Sequence, residues 1–231
     1  LFYSDAPRSL TVNLATGVAT GWGSDTIRSV GAVWGGPHDD VLIGTSGFNE
    51  LRGQGGDDHL IGGGDGDLLY GGLGNDILDG MDGDDSLQGG SGDDLLRGWA
   101  GDDGLEPDAD DDVVKGGNGN DLVSFWYARQ SVTVNLATGI ATGEGTDALY
   151  GISDVQGGQY GDLIIGDSAD NYLIGGLGDD VIRGEGGRDR IEGRDGNDSL
   201  DGGPGLDTLD GGNDVDTCTQ GEIYESCEVI R

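Results

Sequence analysis

Gly71-Gly72-Leu73-Gly74-Asn75-Asp76-Ile77-Leu78-Asp79 has glycine at its first, second and fourth positions, aspartate at its sixth and an aliphatic residue at its eighth. The same frame runs outward from it. The first position recurs at Gly35, Gly44, Gly53, Gly62, Gly71, Gly80, Gly89, Gly98, Pro107 and Gly116, and again at Gly157, Gly166, Gly175, Gly184, Gly193, Gly202 and Gly211. The eighth is Leu, Ile or Val throughout, from Leu42 to Leu209, until Cys218 takes it in the last copy. A fixed period of nine decides the fold before local propensity does.

The spacing has a physical reading. Glycines let the backbone take positive φ and turn tightly, leaving carbonyls free to face a cation. The last three residues of each copy, such as Leu68-Leu69-Tyr70 or Val181-Ile182-Arg183, make a strand too short to stand alone. Such strands must stack. If two copies complete a coil of about 18 residues, alternate loops share an edge at a strand spacing of roughly 4.8 Å. The loop carboxylates then form two columns.

The pattern resembles the repeats-in-toxin (RTX) nonapeptide G-G-x-G-x-D-x-U-x, which Gly71–Asp79 matches at every defined position. The resemblance implies an all-β parallel β-roll with Ca²⁺ between neighbouring loops of one edge. Its ligands would be backbone carbonyls and the sixth-position aspartates. Those are Asp40, Asp58, Asp67, Asp76, Asp85, Asp94, Asp103, Asp112 and Asp121, then Asp162, Asp180, Asp189, Asp198, Asp207 and Asp216. Asn49 and Asn171 stand in the same column without a charge, and the loop Pro107-Asp108-Ala109-Asp110 lacks the usual glycines. These loops are expected to bind weakly or not at all.

Composition points the same way. With 45 acidic against 11 basic residues the formal charge is −34, and stacked aspartates without counterions would repel one another. Pairing loops along each edge allows about thirteen Ca²⁺, which would leave a charge of roughly −8. Oxygen-only loops favour Ca²⁺ over zinc or copper. Without the ion the core is thin. One good apolar residue in nine, worth about 2 to 3 kcal/mol, opposes an ordering cost of roughly 1.5 kcal/mol for every residue. Binding to the folded state has to supply much of the difference.

A longer repeat encloses the short one. Ser9–Gly21 reappears as Ser131–Gly143, an offset that also carries Asp25 to Asp147 and Gly35 to Gly157. Two tandem modules follow: 1–122, with a leading segment 1–34 and nonapeptides 35–122, and 123–231, with a leading segment 125–156, nonapeptides 157–219 and a cap 220–231. Leu10, Val12 and Leu14 alternate with Thr11 and Asn13, as a half-buried strand requires. Each leading segment is expected to form a wider coil that starts the roll, with Phe125, Trp126 and Tyr127 packing at the junction. The strand patterning of 125–156 argues for one continuous solenoid rather than a flexible linker.

At the offset of 122, Leu1 corresponds to Val123, so the first strand is expected to expose an open edge with apolar Leu1, Phe2 and Tyr3. Covering that edge with a second copy would give head-to-tail assembly. At the other end Cys218 and Cys227 are the only cysteines, and a disulfide closing a terminal loop is expected. Solenoids need such a cap. Weak calcium sites fill only at external millimolar calcium, which with the disulfide places the chain outside the cytosol, secreted or at a cell surface. The sequence contains no transmembrane run. Asn197-Asp198-Ser199 is formally a glycosylation acceptor, but inside a repeat loop it reads as a structural element.

Catalysis has little support. His38 and His59 are the only histidines and read as exposed loop residues, while paired aspartates such as Asp57-Asp58 recur in register, as a ligand beside a solvated neighbour would. No nucleophile elbow, phosphate loop or zinc motif is present. The charge excludes nucleic acid. Ice binding would need a regular Thr column, and no repeat position supplies one. Trp99, at a second position where other copies hold Gly, is expected at the surface. The favoured reading is a non-enzymatic calcium-binding roll with a structural or cell-surface role. The alternative is a carboxy-terminal secretion and folding module of a larger exoenzyme or toxin.

Overall fold

The computed structural model describes residues 1–221 and 223–230, and the chain divides into two compact units, Leu1–Asp121 and Leu122–Arg231. All regular elements among the described residues are strands. Each unit is a parallel β-solenoid. In the first, Leu51 pairs with Leu69, Leu69 with Leu87 and Leu87 with Leu105 along one wall. Leu42, Leu60, Leu78, Leu96 and Val114 run along the other. The second unit repeats the arrangement with Val155, Leu173, Ile191 and Leu209 facing Ile164, Ile182, Leu200 and Cys218. Partners are 18 residues apart, so two nonapeptides make one coil.

The eighth-position column is the core. Leu42, Leu51, Leu60, Leu69, Leu78, Leu87, Leu96 and Leu105 are all fully buried, and so are Ile164, Leu173, Ile182 and Ile191. Burying each such side chain contributes about 2 to 3 kcal/mol. Most strands run longer than three residues. Leu68–Leu73, Ser86–Ser91 and Leu95–Ala100 continue through the first three positions of the next copy, pairing on either side of the first-position residue. The turn proper therefore shrinks to positions four to six.

The leading segments differ from expectation. Leu10 and Val12 are buried as their alternation predicts, and Thr11–Asn13 pairs in parallel with Val41–Ile43. Instead of a wider coil, the chain then folds back as an antiparallel meander of Thr11–Asn13, Val18–Gly21 and Gly23–Thr26. Its first turn explains why. The Asn13 side chain accepts the Thr16 N–H at 2.8 Å, and Gly17 takes φ 69°, a left-handed position that closes a hairpin. Asn135, Thr138 and Gly139 repeat this turn in the second unit. Of the three aromatic residues expected to pack together, only Phe125 is buried; Tyr127 is exposed.

At the amino-terminal side, the Leu1 ammonium donates to the Ala32 carbonyl at 2.7 Å, and Tyr3 N–H donates to that of Trp34 at 3.0 Å. Phe2 meets the Trp34 ring edge-on and remains exposed, whereas Tyr3 is buried. Near the other end Cys218 and Cys227 form a disulfide, and Val229–Ile230 pairs with Thr217–Thr219. Glu222 and Arg231 of the expected cap lie outside the described residues.

Candidate metal centre

All fifteen aspartates named from the sequence are buried, and with Asn49 and Asn171 they line the two edges of the coils. Stacking explains how a carboxylate is held there. The Asp58 N–H donates to Oδ1 of Asp76, and the Asp76 N–H to Oδ1 of Asp94, each at 2.7 Å. On the other edge Asn49 donates to Asp67, Asp67 to Asp85, Asp85 to Asp103 and Asp103 to Asp121. The second unit runs Asp162 to Asp180 to Asp198 to Asp216, and Asn171 to Asp189 to Asp207. Asp94 donates to Asp112 in the same way. Each side chain reaches back one coil.

The second carboxylate oxygen is treated differently. Oδ2 of Asp58, Asp67, Asp76, Asp85, Asp94, Asp103, Asp180, Asp189, Asp198 and Asp216 is buried and accepts no hydrogen bond. Such an atom is costly unless something positive meets it. Burial pushes the carboxyls of Asp58 and Asp180 up to about 8, and the charges of their column neighbours add to the effect. Asp94 and Asp103 rise to about 7, and Asp67, Asp76, Asp85, Asp189 and Asp198 to about 6, with burial the first cause in each. An oxygen column short of donors fits a hard divalent cation. Among the described residues no three His, Cys, Asp or Glu side chains converge on one point, so backbone carbonyls or water would complete any shell.

Loop backbone supports that division of labour. Glycine at the second and fourth positions takes positive φ, as at Gly72 and Gly74, and non-glycine residues are held there too: Gln54 (86°), Met81 (85°), Trp99 (78°) and Arg194 (84°). Asp108 (70°) and Asp110 (84°) keep the same turn in the Pro107 loop without the usual glycines. The first-position glycines are needed for another reason. A Cβ on Gly53 would strike Oδ2 of Asp58 and the Gly71 carbonyl oxygen, so the position demands room rather than positive φ.

Two details escaped the sequence. The fifth-position residues are solvent-exposed, as expected, but they also form a second ladder: Asn75 N–H donates to Asp57 Oδ1 at 2.9 Å, Asp102 to Asp84 at 2.9 Å and Asn197 to Asp179 at 2.8 Å. This ladder runs opposite to the buried one. The recurrence of Asp or Asn at that position was the available signal. His59 is not in a loop but begins the strand His59–Gly63, where Nε2 lies 3.0 Å from Asp79 Oδ2. Arg97 and the Trp99 indole N–H share that carboxylate, which occupies all three in structure. Trp99 is 49% exposed, as its sequence position predicts.

An all-β parallel solenoid with acidic turns stacked in register defines the class of calcium-binding β-rolls. The family described as RTX calcium-binding nonapeptide repeat (four copies) matches residues 34–69, 70–105, 108–125, 156–191 and 183–218. These segments cover well over half of the chain, which belongs to that family. No curated protein matches it. Only repeats are recognised in it, and among the described residues no helix is long and apolar enough to cross a membrane.

Proposed function

We infer that this is a non-enzymatic protein that folds on binding Ca²⁺ outside the cytosol and acts as a structural or cell-surface element. The observation that carries the reading is the run of buried Oδ2 atoms without a donor, from Asp58 to Asp103 and at Asp180, Asp189, Asp198 and Asp216. Calcium would bind these oxygens together with loop carbonyls and neutralise the columns, supplying the free energy that the one-in-nine core lacks. Asp112, Asp121 and Asp207 complete the proposed ligand columns by position.

The Cys218–Cys227 disulfide supports an extracellular setting, where millimolar calcium would fill even weak sites. A purified sample in excess chelator provides the test. Loss of the β-sheet circular dichroism signal and its return with calcium are expected; an unchanged spectrum would overturn the reading.

A further inference from the structure

The loops that open each unit depart from all the others. In loops 35–40, 44–49, 157–162 and 166–171 neither the second nor the fourth position takes positive φ. Glycine content does not explain this. Gly36, Gly47 and Gly158 have the freedom and do not use it, whereas Gln54, Met81, Trp99 and Arg194 lack that freedom and are forced into it. Glycine at 36 answers crowding instead, since a Cβ there would press on the Tyr3 carbonyl and Ala6.

In these same loops every polar atom of the sixth-position side chain has a hydrogen-bond partner. Oδ2 of Asp40 accepts the Gly36 N–H at 2.7 Å while Oδ1 accepts that of Leu10 at 2.7 Å. Asp162 does the same with Gly158 and Val132, at 2.7 and 2.8 Å. Asn49 and Asn171 accept the N–H of Thr45 and Asp167, also inside their own loops. Their Nδ2 groups donate to the carbonyls of Gly31 and Ser153, at 3.4 and 2.9 Å. The position one coil earlier here presents a carbonyl to the side chain instead of an N–H. A carboxylate would repel it, and an amide satisfies it. The asparagines are therefore the fitting residues for this position rather than defective ligands.

We propose that these four loops are metal-free locks, closed by their own side chains, and that calcium binding in each unit begins only at Asp58 and Asp180. The proposal rests on the calcium reading above and removes Asp40 and Asp162 from the ligand set it would otherwise include. It also gives the locks a role. The backbone N–H groups of Asp40, Asn49, Asp162 and Asn171 donate to Oδ1 of Asp58, Asp67, Asp180 and Asp189, so each lock is a template on which the first calcium-dependent coil is laid.

Native mass spectrometry and titration calorimetry of the 231-residue chain test the assignment. Asp58→Asn with Asp180→Asn should lower the number of bound Ca²⁺ or weaken binding about tenfold or more, whereas Asp40→Asn with Asp162→Asn should leave the count unchanged and affinity within about twofold. Asn49→Asp with Asn171→Asp should add no ion. A lost ion with the Asp40 and Asp162 pair, or a gained ion with the asparagine pair, overturns the proposal. Should a variant fail to fold, hydrogen exchange on the unaltered protein in saturating calcium decides: the amides of Gly36, Thr45, Gly158 and Asp167 should be protected, and free exchange there overturns the proposal. An unaltered chain that takes up no calcium overturns the calcium reading itself, and the assignment with it.

Discussion

The backbone N–H of Asp58 lies 2.7 Å from Oδ1 of Asp76, and one residue away the N–H of Asn75 lies 2.9 Å from Oδ1 of Asp57. Two adjacent loops are thus stitched twice, in opposite directions. The inner stitch holds Asp76 with its other oxygen unpartnered, while the outer one is exposed to solvent. On the calcium reading proposed above, that unsatisfied oxygen is where the loop edge would take up a cation.

Asp76→Ala removes both the acceptor for Asp58 and a proposed ligand. It should cost about 1 to 3 kcal/mol in the metal-loaded fold from the orphaned N–H alone, with a further loss of calcium affinity. Asn49→Ala should lower stability while leaving calcium affinity nearly unchanged. Calorimetry and thermal melting on the two variants check this; equal losses of affinity would refute the frame.

Magnesium should replace calcium poorly, because its small octahedral shell dehydrates reluctantly and suits carbonyl-rich loops badly. Circular dichroism of the chelated chain titrated with each ion should show refolding by calcium at concentrations where magnesium has little effect.

Without calcium, acid should favour the fold. The carboxyls of Asp58, Asp94, Asp103 and Asp180 stand at about 7 to 8 in the folded chain, against an ordinary value of 3.8. A raised folded value means that the folded state binds more protons between the two, so stability is greatest below about pH 4 and is lost as pH rises toward 8. With calcium the trend reverses, since the ion displaces those protons. β-sheet signal in chelator should be stronger at pH 4.5 than at pH 8.5, and proton release should accompany calcium binding at neutral pH.

Gly53→Ala should be among the most damaging alanine substitutions, because its Cβ would overlap a carboxylate and a carbonyl of the next coil; a cost of about 1 to 3 kcal/mol or more is expected. Gly47→Ala should be tolerated, since a Cβ there meets only the far end of Asp65. Melting temperatures in saturating calcium distinguish them.

Much of the molecule was legible from the chain alone. A period of nine with one aliphatic residue in each copy forces short strands to stack, and with two copies to a coil the register of Leu51 on Leu69 follows from spacing. The burial of the Asp column was legible for the same reason, because one residue type recurring in frame occupies one equivalent place in every coil. The antiparallel hairpin at Thr11–Gly21 was not, since its strands alternate like those of a coil and only the Asn13 to Thr16 turn reverses them.

The difference between a lock and a metal loop lay beyond the sequence pattern. Gly35-Gly36 and Gly71-Gly72 look alike, yet Gly36 stays out of the left-handed region that Gly72 occupies. What separates them is the neighbour one coil back. Asp76 meets the Asp58 N–H and keeps one oxygen open, whereas Asp40 meets Leu10 from a leading segment and closes on Gly36. Repetition determined the coil, its core column and its two acidic edges because identical residues stack identically. Only the tertiary structure decided which carboxylates remain unsatisfied, because that depends on whether the adjoining backbone is another repeat or the segment that begins the unit.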